Sequence, residues 1–395
     1  MRVQLVDPAA YTPPYDHALA AALAREGADV ELVTSHFSYG PVPIPRETGG
    51  SSDTSRVALS RALASSELPR TYSVNQLFYR RSSRDDIGPR RRRLLRAAEH
   101  VPDMLRYRRV AREADLVHYM WVPIPALDRH LLPAKRPRVY TMHWRLPEAG
   151  TRIARTLTRL LTEMDAVVVH SEHGARRLEA DFGVPPERLR VIPHGAFDYL
   201  TRQEDEVPLP DDLREVTGPV ILAFGLVRPY KGTEVLLEAF RRVESAELWV
   251  VGMPRMPMDE LRELARRAPG TVRFVDRFVT DPEIPAFMRR ADLVVLPYRN
   301  IEQSGVLYTG LAFGRPLVLS AVGGFPEIAE QGAARLVPPG DPDALTETLN
   351  QLLSDRSARD ELADAATRAA ATTYSWERIG AQTMALYRDL LGPRG

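Results

Sequence analysis

The 395-residue chain has 53 basic and 52 acidic residues, and this balance gives no general attraction for nucleic acid. It contains no cysteine, which excludes disulfides, thiolate catalysis and cysteine metal sites. Its length favours two globular domains. We see neither an apolar run long enough to span a membrane nor an apolar leader after Met1, so we expect a cytoplasmic protein.

Apolar strands alternate with helices through the first 200 residues. Strands are predicted at 2–6, 30–34, 115–119, 138–142 and 166–170, and a helix at 18–25. The loop before that helix contains two prolines, which fix its shape and hold Asp16 and His17 at the helix start. Residues 36–66 are rich in Pro, Gly and Ser and are predicted to form a long loop or flap.

The nine histidines all lie at or before His194. His118, His143 and His170 fall at or just beyond the carboxyl ends of predicted strands, which is where open α/β sheets bind ligands. A structural or solvated role is the alternative for each of them. The histidine spacing does not match a metal-binding pattern, so no metal is expected.

Arginines are concentrated between Arg80 and Arg112 and include the run from Arg90 to Arg93. Such a cluster is typical either of a solvated helix face or of a peripheral contact with an anionic membrane surface. No nucleic-acid-binding motif accompanies it. The sequence therefore leaves the first two interpretations open.

An acidic segment with two prolines, 201–218, has the composition of an interdomain linker. Beyond it, strands are predicted at 220–224, 247–251, 272–274, 293–296 and 317–319, with helices at 234–243, 258–267, 306–313 and between 342 and 391. The pattern predicts a second α/β domain built on a parallel sheet.

Two features of this second half predict an anion site. Arg228 and Lys231 follow the strand at 220–224, and the turn Ser304-Gly305 begins the helix at 306–313. Cations at a strand's carboxyl end and the unpaired N–H groups of a helix start both stabilise a polyanionic ligand. A simple helix cap and a solvated loop are the alternatives.

The spacing of several motifs resembles that of the retaining GT-B glycosyltransferases of family four. The motifs are Gly225, Arg228, Lys231-Gly232, Pro297, Glu302, Ser304-Gly305, Gly314-Arg315-Pro316, the segment from Gly323 to Glu327, His194-Gly195 and the segment from Tyr374 to Glu377. The resemblance implies an α/β GT-B fold, with two Rossmann-like doubly wound parallel-sheet domains facing a central cleft. It divides the chain into an acceptor-side domain at 1–200 completed by a helix at 376–395, a linker at 201–218 and a donor domain at 219–375.

The same resemblance implies the transfer of a sugar from a nucleoside-diphosphate sugar to an unidentified acceptor hydroxyl, with retention of the anomeric configuration. It also implies that the transfer needs neither a metal nor a further cofactor. Catalytic roles carry over to Arg228, Lys231 and His143. Donor binding carries over to Gly225, Glu302, Ser304, Gly305, Val306, Thr309, Arg277 and Phe278. The loop before the helix at 18–25 lacks the Gly-Gly pair usual in the family, so we assign its residues to acceptor binding instead. Two residues at the end of the predicted strand 115–119 are assigned to the acceptor with them. This acceptor set is Tyr15, Asp16, His17, His118 and Trp121.

One departure from the family pattern concerns the ribose. The family's second glutamate, eight positions after Glu302, is replaced here by Gly310, so ribose binding falls to Thr309 or to Tyr308. Two other functions are considered. A dinucleotide-dependent oxidoreductase needs a GxGxxG fingerprint, and residues 6–20 contain no glycine. A two-lobed sugar- or nucleotide-binding protein without catalysis is the second alternative.

Overall fold

The computed structural model of the chain describes residues 1–36, 72–84, 87–134, 137–143, 146–243 and 245–392. The described strands are β1 (Arg2–Asp7), β2 (Asp29–Ser35), β3 (Tyr72–Phe78), β4 (Leu116–Tyr119), β5 (Arg138–Thr141), β6 (Ala166–Val169), β7 (Leu189–Val191), β8 (Val220–Phe224), β9 (Glu247–Val251), β10 (Val272–Val275), β11 (Leu293–Leu296), β12 (Leu317–Ser320) and β13 (Ala334–Val337). Apart from its first residue, the flap predicted at 36–66 lies outside the described residues.

The described helices are α1 (Pro13–Arg25), α2 (Pro89–Val110), α3 (Pro125–Asp128), α4 (Arg152–Leu161), α5 (Glu172–Phe182), α6 (Asp211–Arg214), α7 (Thr233–Phe240), α8 (Asp259–Arg266), α9 (Ile284–Arg290), α10 (Gly305–Ala312), α11 (Phe325–Glu330), α12 (Pro342–Ser354), α13 (Arg356–Ala371) and α14 (Trp376–Leu391). Short 3-10 turns lie at Ala111–Glu113, Pro186–Arg188, Asp198–Arg202, Pro229–Lys231 and Asp281–Glu283. None of the helices in the described ranges is long and apolar enough to span a bilayer.

Two compact units divide the described residues. The first contains the residues up to Gly195 together with α14, and the second runs over Ala196–Ser375. The sequence-based boundaries were 200/201, 218/219 and 375/376. In the structure, residues 201–218 carry the helix α6 and belong to the second unit.

The first unit is built on a parallel sheet with strand order β3-β2-β1-β4-β5-β6-β7. Every residue of β4, β5 and β6 is buried, because helices cover both faces of a parallel sheet. The last helix, α14, packs on α1. Its buried Trp376, Ile379 and Tyr387 join the apolar cluster under the sheet, so the end of the chain completes the first unit's core.

The second unit repeats this architecture with strand order β10-β9-β8-β11-β12-β13, again all parallel. Its central strands β11 and β12 are buried along their whole length. The predicted strands 220–224, 247–251 and 293–296 coincide with β8, β9 and β11. Two sheets of parallel strands separated by helices confirm the α/β class expected from the sequence.

Candidate active site

In each sheet, the strand order reverses at one place, and ligands of open α/β sheets bind outside the carboxyl ends of the strands at such a point. In the second unit the reversal lies between β8 and β11, which pair through Ile221 and Leu293. The loop carrying Arg228 and Lys231 follows β8, and the loop carrying Glu302 and Ser304 follows β11. The fold thus brings both predicted halves of the anion site to one edge of the sheet.

Two glycines bring the loop after β8 into close contact with its neighbours. Gly232 has φ +65°, and a Cβ built there would lie 2.0 Å from the carbonyl oxygen of Pro297, so only glycine permits this approach. Gly225 has φ +95°, and a Cβ there would lie 2.9 Å from Nζ of Lys231 and 3.0 Å from Cγ2 of Val306. Lys231 and the start of α10 therefore flank the same glycine.

The surroundings of Lys231 lower the pKa of its side chain. Burial lowers the pKa of its ammonium to about 8, with Tyr230 opposing this change and repulsion from Arg228 adding to it. Nζ lies 5.2 Å from the ring centroid of Tyr298, a favourable cation-π distance. The side chain of Arg228 is exposed. The result is a half-buried cation beside an exposed one, an arrangement that a bound anion would stabilise.

The start of α10 has the form expected of an anion-binding helix terminus. Ser304 is the N-cap, with an extended backbone, and its side chain makes no capping hydrogen bond. Instead its buried Oγ lies 3.3 Å from the hydroxyl oxygen of Tyr298. Because the first N–H groups of a helix have no intrahelical acceptor, Gly305 and Val306 present theirs outward. Glu302 lies half-buried in the preceding loop.

Gly310, which replaces the family's second glutamate, packs closely against the sheet. Gly310 is buried, and a Cβ there would lie 2.8 Å from Cδ2 of Leu317 in β12, so any side chain at this position would require Leu317 to move. Of the two ribose candidates, Thr309 donates from Oγ1 to the Gly305 carbonyl at 3.0 Å, and the Tyr308 hydroxyl donates to Gln303. Both remain predictions.

The loop predicted to bind the nucleobase follows β10 and lies at the same edge of the sheet. Arg277 is exposed, donates to the carbonyl of Phe278 at 3.0 Å and forms an ion pair with Glu283 at 2.6 Å. Phe278 is half-buried. The arginine therefore holds the loop's backbone in place.

The first unit has its own reversal, between β1 and β4, and a buried carboxyl pair lies beside it. The carboxylate of Asp7 accepts from the N–H groups of Ala9 at 3.1 Å, Tyr11 at 2.6 Å and Thr12 at 3.1 Å. Asp16 is also buried and accepts from Oγ1 of Thr12 at 3.1 Å. Asp7 therefore organises the loop that the sequence assigned to the acceptor. In the sequence, the one indication of this role is that Asp7 is an acidic residue at the end of a buried apolar strand.

The two carboxyls of this pair do not both ionise easily. Burial raises the pKa of Asp7, although its backbone donors oppose the change. Burial and then the charge of Asp7 raise the pKa of Asp16 well above its ordinary value. Since Asp7 accepts three N–H donors, it is the better site for the negative charge, and Asp16 retains the proton.

Three predicted residues meet around one aromatic cluster. The buried Tyr15 ring lies 4.7 Å from the ring of His143, and the Trp121 ring stacks on His143 at 5.6 Å with an interplanar angle of 15°. Nε1 of Trp121 donates to Oγ1 of Thr12 at 2.8 Å. A chain of hydrogen bonds therefore links the indole that covers His143 to the carboxyl of Asp16.

His143 belongs to a group of neutral histidines. Its ring lies 5.1 Å from that of His170, which in turn lies 5.3 Å from that of His194. Burial and then repulsion by the neighbouring histidines lower the pKa of His143 well below its ordinary value. Its Nε2 atom is buried and makes no hydrogen bond within the described residues. No cluster of three or more metal-capable side chains occurs in those residues either.

The other two predicted acceptor residues form hydrogen bonds with different partners. His118 is buried, and its Nδ1 and Nε2 hydrogen-bond to the hydroxyls of Tyr387 at 2.6 Å and Thr141 at 2.7 Å. Nδ1 of His17 lies 2.8 Å from the hydroxyl of Tyr72 in β3. His118 thus joins β4, β5 and α14 inside the core, and any part it has in acceptor binding stays a prediction.

Comparison with solved structures gives the fold its name. HepE from Anabaena in complex with UDP-glucose superposes with a TM-score of 0.70 at 20% identity, covering 99% of this chain and 100% of that one. Sucrose-phosphate synthase from Thermosynechococcus elongatus gives 0.69 at 19% identity, covering 99% of each chain. These matches confirm the GT-B fold predicted from the motifs.

Sequence comparison supplies the family. The model described as Glycosyltransferase Family 4 matches residues 15–196, and the model described as Glycosyl transferases group 1 matches residues 218–355. The chain belongs to this glycosyltransferase family.

Curated relatives agree with the family assignment. The MMP alpha-(1->4)-mannosyltransferase of Mycolicibacterium hassiacum is 29% identical over 253 residues, covering 62% of this chain and 57% of the relative. The D-inositol 3-phosphate glycosyltransferase of Xylanimonas cellulosilytica is 29% identical over 283 residues, covering 64% and 66%. The chain therefore spans less than two thirds of the length of each of these relatives.

Proposed function

We propose that this protein transfers a sugar from a nucleoside-diphosphate sugar to an acceptor hydroxyl, with retention of anomeric configuration and without a bound metal. The observation that carries the proposal is the grouping of Lys231, Gly225 and the start of α10 at the carboxyl edge of β8 and β11. Membership in the glycosyltransferase family supports it. The remaining questions are how the residues would act and which donor they would accept.

The chemistry needs stabilisation of a departing diphosphate. As the bond between the anomeric carbon and the phosphate oxygen breaks, negative charge grows on the phosphate, and the ammonium of Lys231 and the N–H groups of α10 would stabilise it. The acceptor oxygen forms the new bond on the same face of the sugar, and its proton passes to a phosphate oxygen of the leaving group. The two cations, Arg228 and Lys231, would take the role that a metal ion has in other transferases.

The first unit would bind the acceptor and contribute one contact to the donor sugar. His143, neutral and fixed against Tyr15 and Trp121, would donate or accept one hydrogen bond to the donor sugar from Nε2, the nitrogen that has no partner within the described residues. Tyr15, Asp16 and the loop before α1 would shape the acceptor side. The predicted contact of Arg90–Arg93 with a membrane is a separate matter, independent of this chemistry.

The donor identity is open between nucleotides. Relatives include a protein named GDP-mannose:glycolipid 4-beta-D-mannosyltransferase, and HepE was solved with UDP-glucose. We would therefore measure thermal shifts with UDP, GDP, ADP and dTDP, because a ligand that binds only the folded state raises stability with occupancy. The nucleotide that stabilises the protein most defines the sugar donors to be tested.

Turnover is then measured as nucleotide release with those donors, with and without a chelator. Lys231→Ala should lower the turnover number by about 100- to 1000-fold, the typical cost of losing one donor to a developing charge. Arg241→Ala, which removes an exposed cation paired with Glu238 in the same unit, is the matched control and should keep wild-type turnover. Wild-type turnover in Lys231→Ala contradicts the proposal. Stabilisation by a nucleotide without release from any donor favours the non-catalytic binding protein.

A further inference from the structure

The outward side of α2 carries an apolar stripe. Leu94 is 73% exposed, Val101 36% and Leu105 47%. Their spacing of seven and four residues places them on one side of the helix, within about 40° of each other at 100° per residue. Leucine and valine side chains that lie together in solvent on one helix mark an interaction surface more often than isolated ones do.

Exposed arginines border this stripe on both sides. At 100° per residue, Arg90 and Arg108 lie about 40° to one side of Leu94, and Arg91 and Arg109 about 60° to the other. All four are exposed, and within the described residues none of them makes a side-chain hydrogen bond or ion pair. We call these four arginines, together with Leu94, Val101 and Leu105, the α2 outer face.

The charges that could neutralise the α2 outer face point elsewhere. The carboxylate of Glu99 accepts from the N–H groups of Arg81 and Ser82 at 2.8 and 2.9 Å. Asp103 is buried and accepts from the N–H of Tyr79 at 2.8 Å. Asp103 also forms an ion pair with Arg106 at 2.9 Å. Neither acid of α2 therefore pairs with an arginine of the outer face.

Two arginines of α2 make contacts inside the protein. The guanidinium of Arg92 donates to the carbonyl of Arg84 at 3.2 Å, and that of Arg96 lies 4.5 Å from the ring centroid of Tyr79 and donates to the carbonyl of Ala9. The sequence treated Arg90–Arg93 as a unit. In the structure Arg92 packs on a neighbouring loop, and Arg93 is exposed but lies about 100° around the helix from Leu94, outside the outer face. Arg108 and Arg109, about five helical turns further along, join Arg90 and Arg91 in the exposed set.

We propose that the α2 outer face binds the surface of an anionic bilayer, with the helix lying in the plane of the headgroups and the apolar stripe inserted between them. A helix with an apolar side and arginines on its flanks has the form of an interfacial helix, since the guanidinium groups reach lipid phosphates while leucines enter the acyl boundary. Nucleic acid offers phosphates but would leave the exposed Leu94 and Leu105 in water.

The test is co-sedimentation of the full chain with vesicles of neutral phosphatidylcholine, or of the same lipid containing about one third phosphatidylglycerol, in about 0.15 M salt. Nucleotide sugar is left out, so the result does not depend on the proposed activity. We expect binding to the anionic vesicles only, weakening as salt is raised, because each arginine near an anionic surface contributes about a fivefold factor in affinity.

Two variants separate the charge from the stripe. The first changes four arginines to glutamine: Arg90, Arg91, Arg108 and Arg109. Its matched control changes four exposed arginines of the second unit to glutamine and so has the same net charge: Arg241, Arg335, Arg356 and Arg368. The second variant, Leu94→Ser with Leu105→Ser, keeps every charge. Thermal unfolding of each variant checks that these exposed substitutions leave the fold intact.

The expected result is a loss of vesicle affinity on the order of 100-fold or more in the first variant, wild-type affinity in its control, and a loss of about tenfold or more in the leucine variant. Equal affinity of the first variant and its control would overturn the proposal. So would wild-type affinity in the leucine variant, since that shows no insertion. Absence of vesicle binding together with arginine-dependent binding of a short RNA duplex would overturn it in favour of nucleic acid.

Discussion

Mild acid should destabilise the first unit through its buried histidines. Burial is the main cause that lowers the pKa of His118 to about 3, of His170 to about 4 and of His194 to about 3. In the unfolded chain each imidazole titrates near its ordinary value of about 6.5. A lowered pKa means that the unfolded chain takes up protons first, so the stabilisation is complete above about pH 6.5 and is lost as the pH falls.

The size of the effect follows from this difference in proton uptake. Between about pH 7.5 and about pH 5.5, each histidine that stays neutral in the folded state removes about 1.4 kcal/mol from the free energy of unfolding. Three of them remove about 4 kcal/mol, and His143 acts in the same direction. Because whole domains are stable by only about 5–15 kcal/mol, this loss is large enough to bring the protein near its unfolding transition.

The assay is urea unfolding followed by tryptophan fluorescence at the two pH values, for the wild type and two variants. His194→Asn keeps a side-chain donor near the Gly195 carbonyl, which Nδ1 of His194 contacts at 2.7 Å, but cannot take up a proton. Its loss between the two pH values should be smaller than that of the wild type by about 1.4 kcal/mol. His130→Asn, at an exposed histidine, is the control and should behave like the wild type.

Comparing variants removes the opposing effect of the acidic pair. The raised pKa of Asp16 gives a stabilisation that is complete below about pH 3.8 and is lost as the pH rises, and this contribution is the same in wild type and His194→Asn. An equal pH-dependent loss in wild type and His194→Asn would refute the reasoning, because it would show that His194 is protonated in the folded protein or does not titrate in the unfolded one.

Three further predictions follow from single contacts. In urea unfolding, Gly232→Ala should destabilise the second unit by at least about 2 kcal/mol more than Gly27→Ala destabilises the first. Both glycines have positive φ, but a Cβ at Gly232 would meet a carbonyl oxygen, whereas a Cβ at Gly27 would have no atom within 4 Å. Asp16→Asn should leave the free energy of unfolding nearly unchanged, because an amide donates a hydrogen bond like the protonated carboxyl, whereas Asp7→Asn should lower it by about 2 kcal/mol or more, because an amide cannot accept from three N–H groups. Equal losses in the two variants would exclude our assignment of the proton to Asp16. Nucleotide affinity in calorimetry should fall up to about tenfold per pH unit above about pH 8, as Lys231 loses its proton, and a flat profile would exclude Lys231 from the anion site.

The sequence was sufficient for the architecture and for the position of the two segments that are predicted to bind an anion. Runs such as Val220–Phe224 and Leu293–Leu296 are apolar at every position, which is the pattern of strands covered on both faces, and the structure has them with the same bounds. Glycine, serine and cation spacing after these strands depends on local backbone geometry. For that reason the loop of Lys231 and the start of α10 were predictable from residues close in sequence.

Only the tertiary structure determined the burial and the contacts of side chains whose partners lie far along the chain. His118 is 269 residues from Tyr387, whose hydroxyl fixes its ring inside the core, and no local pattern could show that contact. The burial of Asp16 beside Asp7 and the close packing of Gly310 against Leu317 likewise depend on how a helix packs on a sheet. The direction of a single side chain is set by packing between elements distant in sequence, whereas the elements themselves are set by the periodicity of neighbouring residues.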